Sequence, residues 1–81
     1  MYYVYILKDK FSKLYIGYSS DLRRRLSEHQ RHIVDATKNM QSCQLVYYEA
    51  YQDKVSAQER ERSLKQFGSA YAGLLKRIGF K

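Results

Sequence analysis

The chain opens on an unbroken apolar and aromatic run, Tyr2 to Leu7 (YYVYIL), made of residue types that favour strands. The polar stretch Asp9-Lys10-Phe11-Ser12 predicts a turn, and Leu14 to Tyr18 (LYIGY) predicts a second short strand, so the start reads as a β-hairpin. Ser19-Ser20-Asp21 forms a helix N-cap cluster with an acid for the first turn. The helix it starts is predicted over about Asp21 to Arg31, with Leu22, Leu26 and Ile33 in phase on one face. From His32 to Ser42 no period is visible and a loop is expected; Gln44 to Tyr51 (QLVYYEAY) returns to strand character. Ser56 and Glu59 have the spacing of a capping box, which predicts a helix running to Gly68 as its C-terminal cap. A last amphipathic helix carries Ala70, Leu74, Leu75 and Ile78. The order ββαβαα predicts an α/β (mixed α+β) fold: one domain over residues 1–81, with helices flanking a three-stranded, mostly antiparallel sheet.

Composition narrows the function classes. Fifteen Lys and Arg against eight Asp and Glu give a net charge of +7 on 81 residues. So strong a surplus on so small a chain attracts polyanions: nucleic acid, an anionic membrane surface or acidic proteins. The single Cys43 cannot form an internal disulfide, and no apolar run approaches the roughly 18 residues of a membrane span. A soluble, cytoplasmic protein without a membrane partner is expected. The nine tyrosines are ambiguous, since tyrosine favours strands, stacks on bases and performs acid–base chemistry.

Position separates some of these roles. Side chains alternate along a strand, so Val4 and Ile6 share one face and Tyr3, Tyr5 and Leu7 the other. If Leu14 and Ile16 pair with Val4 and Ile6, then Tyr5 and Tyr15 fall together on the opposite face, and Gly17 admits a close approach by a backbone or a ligand. An aromatic ladder on a half-buried sheet would account for the same pattern. On the first helix, His29 falls on the apolar stripe and Arg25 beside Leu26, with Asp21 spaced to pair with Arg25, whereas Arg23 and Arg24 point to solvent as phosphate-contacting or solubilising charges. On the second helix, Glu59 is accounted for by the capping box. Glu61 falls between Ala57 and Leu64 on the face to be buried, where a carboxylate needs a cation such as Arg25 or a metal. Two phenols, an Arg, a His and a Glu are the set that phosphodiester cleavage requires. His29-x-x-His32 is half of a metal pair with no cluster to complete it, and Cys43 has no His neighbour in sequence to make it a nucleophile.

These residues resemble a known pattern. Tyr3-Val4-Tyr5, Tyr15-Ile16-Gly17, Arg25 ten residues after Tyr15, and Ala57-x-x-Arg60-Glu61-x-x-Leu64-Lys65 together resemble the GIY-YIG nuclease superfamily, and look closest to its short stand-alone bacterial members. The resemblance implies that Tyr5 and Tyr15 serve as general base and orienting partner, that Arg25 holds the scissile phosphate with His29 assisting, and that Glu61 ligates one Mg²⁺ or Mn²⁺. Two departures stand out. The first tripeptide lacks the family's glycine. Gly73 also lies near the place where many members carry an asparagine, while the only asparagine here, Asn39, is upstream.

The expected function is therefore metal-dependent endonucleolytic hydrolysis of DNA without a small-molecule cofactor, with Arg23, Arg24 and Lys65 among the nucleic-acid-binding residues. Phosphate contacts carry no sequence information, so low sequence specificity is expected, with selectivity for DNA structures such as those of repair or recombination. A catalytically weak or inactive nucleic-acid-binding module of the same fold is the alternative. An interaction subunit that borrows its target from a protein partner is a third reading.

Overall fold

A computed structural model describes residues 1–31 and 43–79. Its elements follow the order ββαβαα: β1 (Tyr2–Lys8), β2 (Leu14–Ser19), α1 (Leu22–Gln30), β3 (Gln44–Tyr51), α2 (Lys54–Lys65) and α3 (Ser69–Arg77). The fold class is the expected mixed α+β. The predicted loop from His32 to Ser42, with Ile33 and Asn39, lies outside the described residues.

β1 is the middle strand of a sheet ordered β2-β1-β3, and both of its pairings are antiparallel. That position explains why its sequence is an unbroken apolar run rather than an alternating one. Val4, Tyr5, Ile6 and Leu7 are all buried, because a central strand covered on both faces has no outward side. On one face Val4, Ile6 and Ile16 pack with Ala57 and Leu64 of α2 and Leu74 of α3. On the other, Tyr5 meets His29 of α1.

The hairpin turn is organised by Asp9. Its carboxylate accepts hydrogen bonds from the amides of Phe11 (2.9 Å) and Lys13 (2.8 Å), while its own carbonyl accepts from Ser12, which takes a left-handed φ of 64°. The buried Asp9 is thereby satisfied as a folded loop requires. The resulting register pairs Ile6 with Ile16, but Val4 with Tyr18 and Lys8 with Leu14. Ile6 and Ile16 therefore meet, while Val4 and Leu14 of the expected apolar set find other partners.

Three helix ends differ from expectation. Asp21 is itself the N-cap of α1 and accepts from the Arg24 amide at 3.1 Å, so it is a cap rather than an acid of the first turn. At α2 the cap is Asp53, which accepts from both the amide and the hydroxyl of Ser56. Ser56 lies inside the helix and Glu59 is exposed, so the expected capping box does not form. An Asp N-cap with Ser three residues on meets the same need for an acceptor at the orphan amides. Finally, α2 stops at Lys65, with Phe67 in the left-handed region at φ 55°, and Gly68 begins α3 as its N-cap.

If Asp53 caps α2, Asp53→Ala lowers stability by about 1 kcal/mol, whereas Glu59→Ala changes it by no more than about 0.5 kcal/mol. Urea denaturation of the two variants checks this, and the reverse order would restore the Ser56–Glu59 box.

Candidate active site

The site is built around an absent side chain. Tyr5 sits directly across from Gly17, while Tyr15 faces Leu7, so the two tyrosines are diagonal neighbours rather than a directly opposed pair. A Cβ at position 17 would come within 2.8 Å of the Tyr5 Cε2 atom and closer still to Cζ and the hydroxyl oxygen. The close approach that Gly17 permits is therefore that of the Tyr5 ring. With no side chain in its way the ring lies flat over β2, its centroid 6.3 Å from that of Tyr15.

α1 brings in the next groups. His29 is 1% exposed and its Nε2 is 2.8 Å from the Tyr5 hydroxyl. The His29 ring lies 5.7 Å from the Tyr5 ring and 5.2 Å from that of Tyr15, so the three form a compact aromatic triangle. Burial, with the Arg25 charge adding to it, lowers the His29 pKa from its ordinary value. The neutral imidazole is thus favoured near pH 7, and its Nε2 shares a hydrogen bond with the Tyr5 hydroxyl. Burial likewise pushes Tyr5 up to about 12, reinforced by Tyr15 and opposed by Arg25.

Arg25 is half-buried and its side chain reaches the Tyr5 phenol. Its ion-pair partner is Glu28, at 2.9 Å from Nη1, and not the expected Asp21, whose carboxylate is engaged as the cap. The hydrogen bond with Glu28 holds the Arg25 pKa above its usual value. A guanidinium has five donors, so one bond to Glu28 orients the group without exhausting it. Arg23 and Arg24 are exposed, with Arg24 also 3.8 Å from Glu28.

Glu61 stands at the margin of this cluster, close enough for its charge to raise the Tyr5 pKa. It is half-buried rather than sealed in the core, and its partner is Lys65 at 3.1 Å, not Arg25. Lys65 is therefore the counter-ion of Glu61 in this structure, and its side chain remains about half exposed beside it. A partly exposed i,i+4 pair of this kind contributes only about 0.3–0.5 kcal/mol, so little is lost when a cation displaces the ammonium. Among the described residues no group of three His, Cys, Asp or Glu side chains could hold a metal. A lone carboxylate still fits Mg²⁺, which keeps several waters and is commonly held by one or two carboxylates together with a substrate phosphate. His32 lies outside the described residues. Burial, with Asp9 adding to it, pushes the Cys43 thiol up from its ordinary value and away from the thiolate.

One network was not anticipated. Glu49 of β3 accepts both Nε (2.9 Å) and Nη2 (3.0 Å) of Arg60 on α2, and also the hydroxyls of Tyr47 and Tyr51. Burial opposes ionisation of Glu49, but these donors outweigh it and hold its carboxyl below the usual value. The only advance signal was the Tyr-x-Glu-x-Tyr alternation of β3, which puts three polar groups on one strand face. Because Arg60 immediately precedes Glu61, the two-pronged bond fixes α2 against β3 next to the residue that carries the Glu61 carboxylate.

The geometry agrees with what comparison with known proteins finds. The family model described as GIY-YIG catalytic domain matches residues 1–72. The chain belongs to the GIY-YIG nuclease superfamily. It is 37% identical over 67 residues to a UPF0213 protein of Staphylococcus saprophyticus, covering 82% of each chain. A UPF0213 protein of Clostridium perfringens is also 37% identical over 67 residues, covering 82% of this chain and 72% of that one. Among solved structures, the solution structure of a UPF0213 protein from Bacillus halodurans superposes with a TM-score of 0.60 at 29% identity, covering 96% of this chain and 85% of that one. In this GIY-YIG chain the first tripeptide keeps only its tyrosine, and that tyrosine is the one lodged over the glycine of the second. Gly73, near the family's asparagine, is an exposed residue of α3 with open space around it.

Two measurements probe the site without requiring activity. Gly17→Ala must displace the Tyr5 ring and should cost about 1–3 kcal/mol, the usual penalty of overpacking; a thermal melt within error of wild type would exclude the contact. His29 has a folded pKa below its unfolded value of about 6.5. Its contribution to stability is therefore complete above pH 6.5 and lost as pH falls through the folded value. Urea midpoints at pH 7.5 and 5.0 should fall less in His29→Gln than in wild type.

Proposed function

We propose that this chain is a GIY-YIG endonuclease that hydrolyses DNA phosphodiester bonds with low sequence specificity. The observation that carries the reading is the Tyr5–Tyr15–His29 triangle, locked over Gly17, with the Arg25 guanidinium at the Tyr5 phenol and the Glu61 carboxylate at its margin.

The two tyrosines differ in access, and access divides their roles. Tyr5 is 0% exposed and bonded to His29, which suits an orienting group. Tyr15 is partly exposed and faces where water can stand, so it is the base that takes the proton of the attacking water. An ordinary phenol has a pKa near 10, so working near neutrality calls on nearby positive charge. Arg25, oriented by Glu28, supplies such charge and binds a non-bridging oxygen of the scissile phosphate. The water oxygen bonds to phosphorus as the bond to the leaving oxygen breaks, and that oxygen is protonated from solvent. Mg²⁺ or Mn²⁺ at Glu61, when bound, supplies Lewis acidity toward the phosphate and the leaving oxygen.

The substrate follows from the charge. Exposed Arg23 and Arg24 grip sugar–phosphate backbone without reading bases, which supports a structure-selective role on DNA in repair or recombination over a sequence-specific one. We take residues 1–81 as a single nuclease domain acting in the cytoplasm; among the described residues no helix is long and apolar enough to cross a membrane. The Glu61–Lys65 ion pair favours a second reading, a nucleic-acid-binding module whose metal position is filled by its own lysine.

Cleavage of labelled single-stranded, duplex and flap DNA, with Mg²⁺, Mn²⁺ or EDTA, decides between the two. The endonuclease cuts only with metal, and Tyr15→Phe and Glu61→Ala each lose at least about 100-fold in rate while still binding DNA. Cleavage that survives both substitutions overturns the assignments. Binding without cleavage under all metal conditions establishes the second reading.

A further inference from the structure

Tyr48 is the one tyrosine that the hairpin, the core and the catalytic cluster leave unused at the site. It lies on β3 directly across from Tyr5, and therefore on the same sheet face. Unlike Tyr5 it is 53% exposed. Its ring is braced by Tyr3, at a centroid distance of 6.1 Å and 61°, and is not covered by it. α1 begins over this part of the sheet, and between helix and strands runs an open groove of about 410 Å³. Tyr3 and Tyr48 form its floor side, Leu22 and Leu26 its helix side, and Arg23 its basic rim. The groove also contains Asp21, whose carboxylate is occupied with the Arg24 amide.

An exposed phenol ring on a paired strand, braced edge-on by a second aromatic with an arginine lining the same groove, has the form of a stacking platform. Charge complementarity selects the occupant. The chain carries +7, and Arg23 lines the same groove as Tyr48. A flat heterocycle attached to a polyanion satisfies both the ring and the guanidinium; an apolar peptide would satisfy only the ring.

We propose that Tyr48, with Tyr3 and Arg23, is a stacking subsite for an unpaired nucleobase of single-stranded DNA, one that lies close to the phosphate held at Arg25. The proposal takes its ligand from the endonuclease reading and sharpens it. Bases in an intact duplex are stacked on one another and cannot lie on Tyr48, so the subsite selects single strands, flaps and frayed ends. Selectivity of this kind needs no base-edge hydrogen bonds and remains tolerant of sequence.

The test uses the whole chain in EDTA, so that binding is read apart from cleavage. Three ligands of equal length serve as probes: oligothymidylate, a strand with all bases removed, and a blunt duplex. Tyr48→Ala should weaken oligothymidylate binding roughly ten-fold while leaving the abasic strand and the duplex unchanged, and Tyr48→Phe should restore it. Tyr48→Trp places a single tryptophan in a chain that has none, and its fluorescence should be quenched by oligothymidylate but not by the abasic strand. Equal losses on all three ligands, or a tryptophan indifferent to bases, overturn the subsite. A protein that cleaves DNA with metal yet shows no base dependence at position 48 disproves the subsite and keeps the endonuclease. One that shows the base dependence and never cleaves keeps the subsite and disproves the endonuclease.

Discussion

The ring of Tyr5 occupies the space that any side chain at position 17 would need, and the rest of the site is arranged around that contact. β1 is covered on both faces, so a tyrosine in its middle has no route to solvent along its own strand. It can lie only across a neighbour, and only a glycine there lets it lie flat. Once it does, its hydroxyl is carried toward α1, where His29 and Arg25 meet it. A glycine in a strand normally weakens that strand. Here the lost packing is restored by the ring of another residue, so the cost to β2 is offset inside the same sheet.

A second fastening acts from the opposite side. Glu49 and Arg60 join the edge strand β3 to α2 through two parallel hydrogen bonds, and the hydroxyls of Tyr47 and Tyr51 complete the carboxylate's partners. A half-buried carboxylate with one donor would be a weak link, because desolvation would consume most of the gain. With four donors the balance reverses, which is why burial fails to raise its pKa. β1 positions Tyr5, β2 positions Tyr15 and α2 positions Glu61. The Glu49–Arg60 bond fixes α2 against the same sheet that carries the tyrosines.

The sequence was most legible where one physical requirement dominates. The apolar run YYVYIL reads as a strand, and its central place in the sheet explains the run afterwards; strand and helix order followed from strand-forming residues, turn and cap signals and hydrophobic period together. Period places Tyr5 and Tyr15 on one sheet face and His29 on the inward stripe of α1, but faces alone do not say that groups on different elements converge; that Tyr5, Tyr15 and His29 meet is seen only in the structure. Local partners were not legible either. Asp21 could cap its helix or pair with Arg25, and it caps; Ser56 could cap α2, and Asp53 does so instead. Gly68 could end a helix, yet Phe67 takes the left-handed turn. In each case two neighbouring polar or turn-forming residues satisfy the same backbone need within a few tenths of a kcal/mol, and packing chooses. Register was illegible for a related reason, since the Asp9 loop sets it and no pattern in LYIGY distinguishes Leu14 opposite Ile6 from Leu14 opposite Lys8.

Net charge takes on a different meaning once the acids are located. Asp9, Asp21 and Asp53 hold backbone amides, while Glu28, Glu49 and Glu61 each face a cation. Six of the eight acids are thus tied to short-range structural work. Exposed bases such as Lys10, Lys13, Arg23, Lys54, Arg62, Lys76 and Arg77 are left to shape the longer-range field. Paired charges nearly cancel beyond a few ångströms, whereas the exposed surplus acts out to about 10 Å at moderate salt. The two scales therefore separate. In the endonuclease we propose, the surplus would draw a polyanion to the surface without distinguishing one sequence from another. Discrimination would then fall to the short-range groups, the guanidinium of Arg25 and the aromatic rings of the sheet face that carries Tyr48.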